Sequence, residues 1–337
     1  MNKNALSFGM FLLTITAIPL TQTFACTIVS VSMGDKVLYG NNEDWYLPNT
    51  FIWFVPAQEN AHGYCYVGYD ENDHQWDGNP QGGMNDQGLT FDYNALPPSV
   101  LIANTAKTPY PSDYNGPRYF MERYSSVNEI RDFYLNIGYP FNLSITWQQH
   151  WADATGDAAV VSVGPDGAWT ATGKGNASYL VSTNWNRANP ESGDFIGWRY
   201  ETATTMLDNI TQEDQLTVDA VRRILEACHQ EGQYPTLYSN IFDLVNGDIY
   251  LYYDHDFSKV VKINLEEELA KGYHRFKIAD LFEYQASKVS SPSSQASSES
   301  SSALRSMSTA ASSRGFELAI TAIVLALVGT IVIKRRQ

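Results

Sequence analysis

The chain has 337 residues, a formal net charge of −15 and 44% apolar residues, with 15 Phe, 8 Trp and 21 Tyr; this excludes disorder and fits one large packed domain or two small ones. Residues 26–286 carry 15 Lys and Arg against 35 Asp and Glu, and so acidic a surface repels phosphate backbones, which excludes nucleic acid as a partner. Three cysteines, Cys26, Cys65 and Cys228, are too few and too widely spaced for a disulfide framework or a CxxC metal site.

Residues 1–25 read as a secretory signal peptide. Lys3 supplies the positive start, Phe8 to Leu20 the apolar stretch, and Thr23-Phe24-Ala25 puts small residues at −3 and −1 of a cleavage site. The apolar stretch is short for a membrane span and lacks a basic stop. Cleavage there makes Cys26 the first residue. A cysteine at that position is also where bacterial lipoproteins are acylated, although their usual pattern has an aliphatic residue at −3, where this chain has Thr23.

From Cys26 the pattern is that of strands. Thr27, Val29 and Val31 alternate with Ile28, Ser30 and Ser32, and Gly34-Asp35 turns the chain back through Lys36 to Tyr39, a hairpin. Phe51 to Val55 and Tyr64 to Tyr69 predict further strands. Gln81 to Leu89 reads as a Gly-rich turn before a strand from Thr90 to Tyr93. Five prolines across residues 97–117 predict a loop that walls a site. Ser126 caps a helix through Glu129 to Leu135, and a hairpin of Ile145 to Trp151 with Ala158 to Val163 turns at Asp153 to Asp157. Strands at Ala168 to Thr172 and Tyr179 to Thr183 precede helices at Gly197 to Leu207 and Val218 to His229, the latter apolar at i, i+3 and i+4. Two last strands, Tyr238 to Leu244 and Ile249 to Tyr253, join through Asn246-Gly247. Strands, then paired helices, then strands predict an α+β arrangement with helices laid on a sheet core.

The catalytic domain is expected to span residues 26–286. Residues 287–314 are Ser-rich and read as a flexible linker. Residues 315–337 hold an apolar run, Phe316 to Ile333, that stops at Lys334-Arg335-Arg336, the mark of a membrane anchor with a cytoplasmic end. The protein is thus expected to be exported, single-pass, and folded in the periplasm or outside the cell. A homo-oligomer is compatible with this layout.

Cys26 at a new N-terminus would carry a thiol and a free α-amine on one residue. The thiol is a strong nucleophile that is mostly protonated at neutral pH, and an α-amine of pKa about 7.7–8.0 can take its proton. No histidine is needed, and the six histidines show neither metal nor triad spacing. Attack on an amide would give a tetrahedral oxyanion and then a thioester that water resolves. Such a site needs a carboxylate to orient the ammonium and donors for the oxyanion; Asp44, in the polar run Gly40-Asn41-Asn42-Glu43-Asp44-Trp45 across the first hairpin, is the candidate carboxylate. Cys65 and Cys228 read as buried small apolar residues, with a bridge between them left open.

Cys26-Thr27, Gly40-x-Asn42-x-Asp44, Gly83-Met84-Asn85-x-x-Gly88-Leu89, Asp153-x-x-Gly156, Thr183-Asn184 and Trp198-Arg199-Tyr200 occur in the order found in one family. The chain resembles the choloylglycine hydrolases and penicillin V acylases, the linear-amide branch of the N-terminal nucleophile (Ntn) hydrolases, related to acid ceramidases and isopenicillin N acyltransferases. The resemblance implies an αββα sandwich of two antiparallel sheets between helix layers, and hydrolysis of a small-molecule, non-peptide amide without cofactor or metal. It implies that Cys26 is the nucleophile, that Asp44 orients its amine, that Asn184 donates to the oxyanion, and that Arg199 joins the charge network. The second oxyanion donor is expected in the backbone near Asn94 and Ala95. Asn41 stands where many members have arginine, and is counted with the substrate- and oxyanion-binding residues. An acyltransferase using the same thioester, a small-peptide hydrolase suggested by Asn42-Glu43-Asp44, and a non-enzymatic surface protein acylated at Cys26 are the alternatives.

Overall fold

The computed structural model describes residues 26–70, 79–190 and 197–290. The expected signal peptide and anchor, His74 and most of the expected linker lie outside them. In chain order the strands are β1 (Thr27–Met33), β2 (Lys36–Asp44), β3 (Thr50–Val55), β4 (Tyr64–Tyr69), β5 (Asn79–Asn85), β6 (Thr90–Leu101), the short β7 (Thr108–Pro109) and β8 (Ile137–Gly138), β9 (Leu143–Ala152), β10 (Ala158–Val163), β11 (Trp169–Gly173), β12 (Tyr179–Ser182), β13 (Thr236–Asp243), β14 (Asp248–Tyr253), β15 (Asp256–Asn264) and β16 (His274–Lys277). The helices are α1 (Pro117–Met121), α2 (Val127–Asn136), α3 (Gly197–Asp208), α4 (Val218–Cys228), α5 (Leu265–Leu269) and α6 (Ile278–Ser290).

Two antiparallel sheets pack face to face. One has the order β12-β1-β2-β13-β14-β15, the other β11-β10-β9-β6-β5-β4-β3-β16. Each strand near the centre is buried on both faces, so its two alternating sets of side chains go to different cores. On β1, Ile28 joins the core between the sheets, while Val29 and Val31 join a second core under α3 and α4. The far face of the second sheet carries a third core, rich in aromatics, against α1 and α2. The result is the expected αββα layering.

Local signals explain the helices. Ser126 caps α2 in a full capping box with Glu129, as the sequence predicted. Thr217 caps α4 by accepting from the Ala220 N–H. Val221, Ile224 and Leu225 on one face of α4 are buried over β1, β2 and β13, each contributing about 1.5–3 kcal/mol relative to exposure. Gly40 allows this close approach, since a Cβ there would sit 2.9 Å from Val221 Cγ1.

Three expectations are corrected. The polar run from Asn41 to Asp44 is not the end of a strand but its continuation, β2 running to Asp44, because both neighbours, β1 and β13, pair with it there. Gln81 to Asn85 belongs to β5, and the turn begins only at Asn85, whose Oδ1 accepts from the Gln87 and Leu89 N–H groups. Residues 97–101 continue β6, and a register shift between Ala95 and Ser99 absorbs Pro97 and Pro98, which lack the N–H a regular ladder needs. Beyond Tyr253 the chain adds β15, α5 and β16, for which the sequence carries no clear signal, and α6 continues past Ala286 to Ser290. All three cysteines are free and buried, which answers the question of a Cys65–Cys228 bridge. Among the described residues no helix is long and apolar enough to cross a membrane.

Candidate active site

Cys26 sits immediately before β1, at one end of the central hairpin. Thr27 pairs with Asn42, so the residue opposite Cys26 is Glu43, not Asp44. Strand alternation then separates the neighbours of Cys26 into two groups. Thr27, Asn42 and Asp44 face the helix layer, whereas Cys26, Asn41 and Glu43 face the space between the sheets.

On the helix-facing side, Arg199 of α3 organises a compact network. Its Nη1 donates to the Cys26 carbonyl oxygen at 2.8 Å and to Thr27 Oγ1 at 3.3 Å, and lies 3.7 Å from Asp44 Oδ2. Its Nη2 donates to Asn184 Oδ1 at 3.1 Å. The Arg199 side chain is only 11% exposed, and burial lowers its pKa against the attraction of Asp44. Asp44 also accepts from Thr236 Oγ1 and, at 3.0 Å, from Gln230 Nε2. Burial raises the Asp44 pKa to about 7, with Arg199, Thr236 and Gln230 pulling it back down.

The oxyanion candidates meet at the same place. Asn184 Nδ2 donates to the Ala95 carbonyl at 2.8 Å, and Asn94 Nδ2 reaches the Cys26 carbonyl at 3.4 Å. Gln148 on β9 ties these two segments together, since its Nε2 donates to the Thr183 and Trp185 carbonyls at 2.7 and 2.9 Å and lies 3.2 Å from Asn94 Oδ1.

The thiol points the other way. Cys26 Sγ donates to Glu43 Oε2 at 3.7 Å, and Tyr69 OH donates to Glu43 Oε1 at 2.7 Å. Cys26 is 6% exposed, and here its nitrogen is still in a peptide bond with Ala25. Burial, then the fields of Glu43 and Asp44, push the thiol well above its ordinary pKa, while the backbone N–H of Asp44 works against them. Glu43 itself is raised to about 8, chiefly by burial. Asn41 lies alongside and helps hold the Glu43 carboxyl, although neither atom of its amide makes a hydrogen bond of normal geometry. Asp92 on β6 adds a third buried carboxyl, its pKa raised by burial and by Glu43.

The structure therefore brings Cys26, Asp44, Asn94, Ala95, Asn184 and Arg199 into one place, with Asn41 two residues along the strand from Glu43. Glu43 entered the sequence reading only within Asn42-Glu43-Asp44, without a role at the sulfur, and Asp92, Tyr69, Thr236, Gln230 and Gln148 were not singled out. The available signal was a polar residue inside an apolar strand, as with Asp92 between Phe91 and Tyr93. His150 is a seam residue instead, held between Ser30 and Ser182 at 2.9 Å each and kept neutral by burial, its pKa near 3. Among the described residues no group of His, Cys, Asp and Glu could hold a metal ion.

Solved structures with the same architecture are similar to this chain. A variant of the conjugated bile acid hydrolase from Clostridium perfringens aligns with a TM-score of 0.58 at 17% identity, covering 75% of this chain and 97% of that one. Penicillin V acylase from Agrobacterium tumefaciens aligns with a TM-score of 0.54 at 17% identity, covering 75% and 91%. At such identity the likeness speaks for the Ntn-hydrolase fold. No curated protein sequence matches. The sequence model of the acyl-coenzyme A:6-aminopenicillanic acid acyl-transferase family matches residues 31–257, starting just after Cys26 and taking in β2, the oxyanion candidates, α3 and α4. The chain belongs to that family, and so to the Ntn hydrolases that comprise linear-amide hydrolases and acyltransferases.

Proposed function

We propose that the mature protein is an amidohydrolase that cleaves a linear, non-peptide amide through a thioester on Cys26. The observation that carries this reading is the convergence on Cys26 of Asp44, Asn94, Asn184 and Arg199 from four separate parts of the chain. Cleavage after Ala25 would free the α-amine. That amine takes the thiol proton, Sγ attacks the amide carbon, and the carbonyl electrons move onto oxygen. Asn184 Nδ2 and a donor at Asn94 or Ala95 stabilise the oxyanion. Collapse expels the amine, which takes its proton from the ammonium, and water then hydrolyses the thioester. Asp44 and Arg199 hold the ammonium and the main chain of Cys26 in place.

The same reading puts the protein outside the cytoplasm, tethered by residues 315–337; the apolar run and its basic end support this. The enclosure of the Cys26 sulfur speaks against a lipid chain on it. Intact mass of the mature protein should begin at unmodified Cys26, and Cys26→Ala should fold yet release no amine from any amide. A blocked amino terminus, or activity surviving in Cys26→Ala, removes the mechanism.

The family's own description favours a second reading, transfer of the acyl group to an amine. Added acceptor amines would then yield a new amide at the expense of free acid.

A further inference from the structure

The space between the sheets beside the thiol is unusual in what it leaves unpaired. Tyr39, Asn41 and Glu43 project from β2 to this side, and Phe242, Asn240 and Tyr238 project from β13 beside them, with Asn41 and Asn240 directly opposite one another. Asn41 and Asn240 are fully buried; Asn41 helps hold the Glu43 carboxyl only at poor geometry, and no atom of either amide makes a hydrogen bond of normal geometry. Tyr238 OH and Asp92 Oδ2 are also buried without one. Buried polar groups are normally bonded, and each orphan is costly.

Asp92 arrives from the facing sheet. Gly82 makes room for it, since a Cβ at Gly82 would lie 2.1 Å from Asp92 Oδ2. The Asp92 carboxyl lies near enough to raise the pKa values of Cys26, Tyr39 and Tyr238, so these groups share one enclave. Among the described residues neither Glu43 nor Asp92 has an ion-pair partner. Arg199 lies on the helix-facing side, engaged with Cys26 O, Asn184 and Asp44. His150 is neutral and fully engaged with two serines.

Two buried carboxyls, two unpaired amides and a free phenol, with no cation among them, match a group that is positively charged and rich in donors. We propose that the amide cleaved at Cys26 bears a free ammonium on its acyl half, as in the amide of an α-amino acid, and that Glu43 and Asp92 recognise it. This rests on the amidohydrolase reading above. The leaving nitrogen must face the Cys26 amine and hence Asp44, so the acyl half is directed to the opposite side, where Glu43 Oε2 lies 3.7 Å from Sγ. An α-ammonium is two bonds from the carbon that Sγ attacks and comes within ion-pair reach of that oxygen. The orphaned carbonyl oxygens of Asn41 and Asn240 accept its remaining hydrogens.

Alanine p-nitroanilide and propionic p-nitroanilide differ only in the amino group. Mature protein near pH 7 should prefer the alanine compound by roughly a hundredfold in kcat/KM, the scale at which a site built for a polar group rejects an analogue lacking it. In Glu43→Gln, an isosteric change, that ratio should collapse toward one. Equal or better cleavage of the propionic compound by the unmodified enzyme overturns the proposal and leaves the hydrolase reading standing. A measurement without turnover probes the same enclave: alaninol, which has no amide to cleave, should slow iodoacetamide alkylation of Cys26 more than 1-propanol does. Equal protection, or none, also overturns the proposal, as it would if ordered water fills the enclave. The hydrolase reading fails separately, by activity that survives in Cys26→Ala.

Discussion

The two sides of Cys26 are built on opposite principles. On the helix-facing side a single guanidinium meets a carboxylate, an amide oxygen and a main-chain carbonyl, and the donors of Thr236 and Gln230 complete the set. On the inner side, carboxyls and amides are buried with oxygen and nitrogen atoms left over and, among the described residues, no cation to meet them. A satisfied network fixes geometry; an unsatisfied one has capacity left for something else. The contrast divides the residues around one sulfur into those that hold it in place and those with hydrogen-bonding capacity left over.

Removing the cation is the harshest way to break this contrast. Arg199→Leu leaves Asp44 buried without its ion partner and strips a donor from the Cys26 carbonyl. A loss of about 3–5 kcal/mol is expected in chemical denaturation, the scale for breaking one partner of a buried pair. A loss below about 1 kcal/mol, typical of exposed pairs, would mean that the network is no scaffold.

The inner side should show itself through pH. The folded chain raises Glu43 from 4.5 to about 8, so in that interval it binds a proton that the unfolded chain gives up. The contribution of Glu43 is complete below about pH 4.5 and is lost as pH rises through about 8, a change on the order of a few kcal/mol. Melting temperatures of chain still carrying residues 1–25 should fall across that range, and Glu43→Gln should flatten the slope. An unchanged slope in that variant would assign the effect to another group.

A smaller effect is expected where the two sheets are sewn together away from the site. Ser182→Ala leaves one nitrogen of the buried His150 without its partner, at a cost of about 1–3 kcal/mol. Ser126→Ala removes the α2 cap and should cost about 1 kcal/mol. Because α2 lies on the outer face of the second sheet, the alkylation rate of Cys26 should not change with it.

The helix-facing side was largely legible in the sequence. Cys26 could be named from the small residues before it and Asp44 from the polar run across the first hairpin, whereas Asn184, just past β12, and Arg199, in the first turn of α3, came from the short motifs that resemble the family's. The inner side was not. A strand is recognised by alternating apolar residues, and Asn41 to Asp44 breaks that pattern, so β2 seemed to stop where it enters the site. Once it is read as ending there, the side that Glu43 and Asp44 face goes unasked; the two-residue turn at Gly34-Asp35 sets Thr27 opposite Asn42, and only carrying that register on to Asp44 brings Glu43 to the sulfur. Asp92 sits on a strand whose existence was legible, but its nearness to Glu43 on the other sheet is a tertiary fact. Only the acidic and amide residues inside otherwise apolar strands hinted at it.

The main-chain hold on Cys26 has a consequence for manufacture. Arg199 and Asn94 grip the carbonyl oxygen of Cys26, and β1 begins at the very next residue, so the cysteine is anchored from its downstream side. Severing the bond between Ala25 and Cys26 cuts none of these ties. If the chain is cut there, as proposed, the sulfur keeps the register that β1 and these two donors give it.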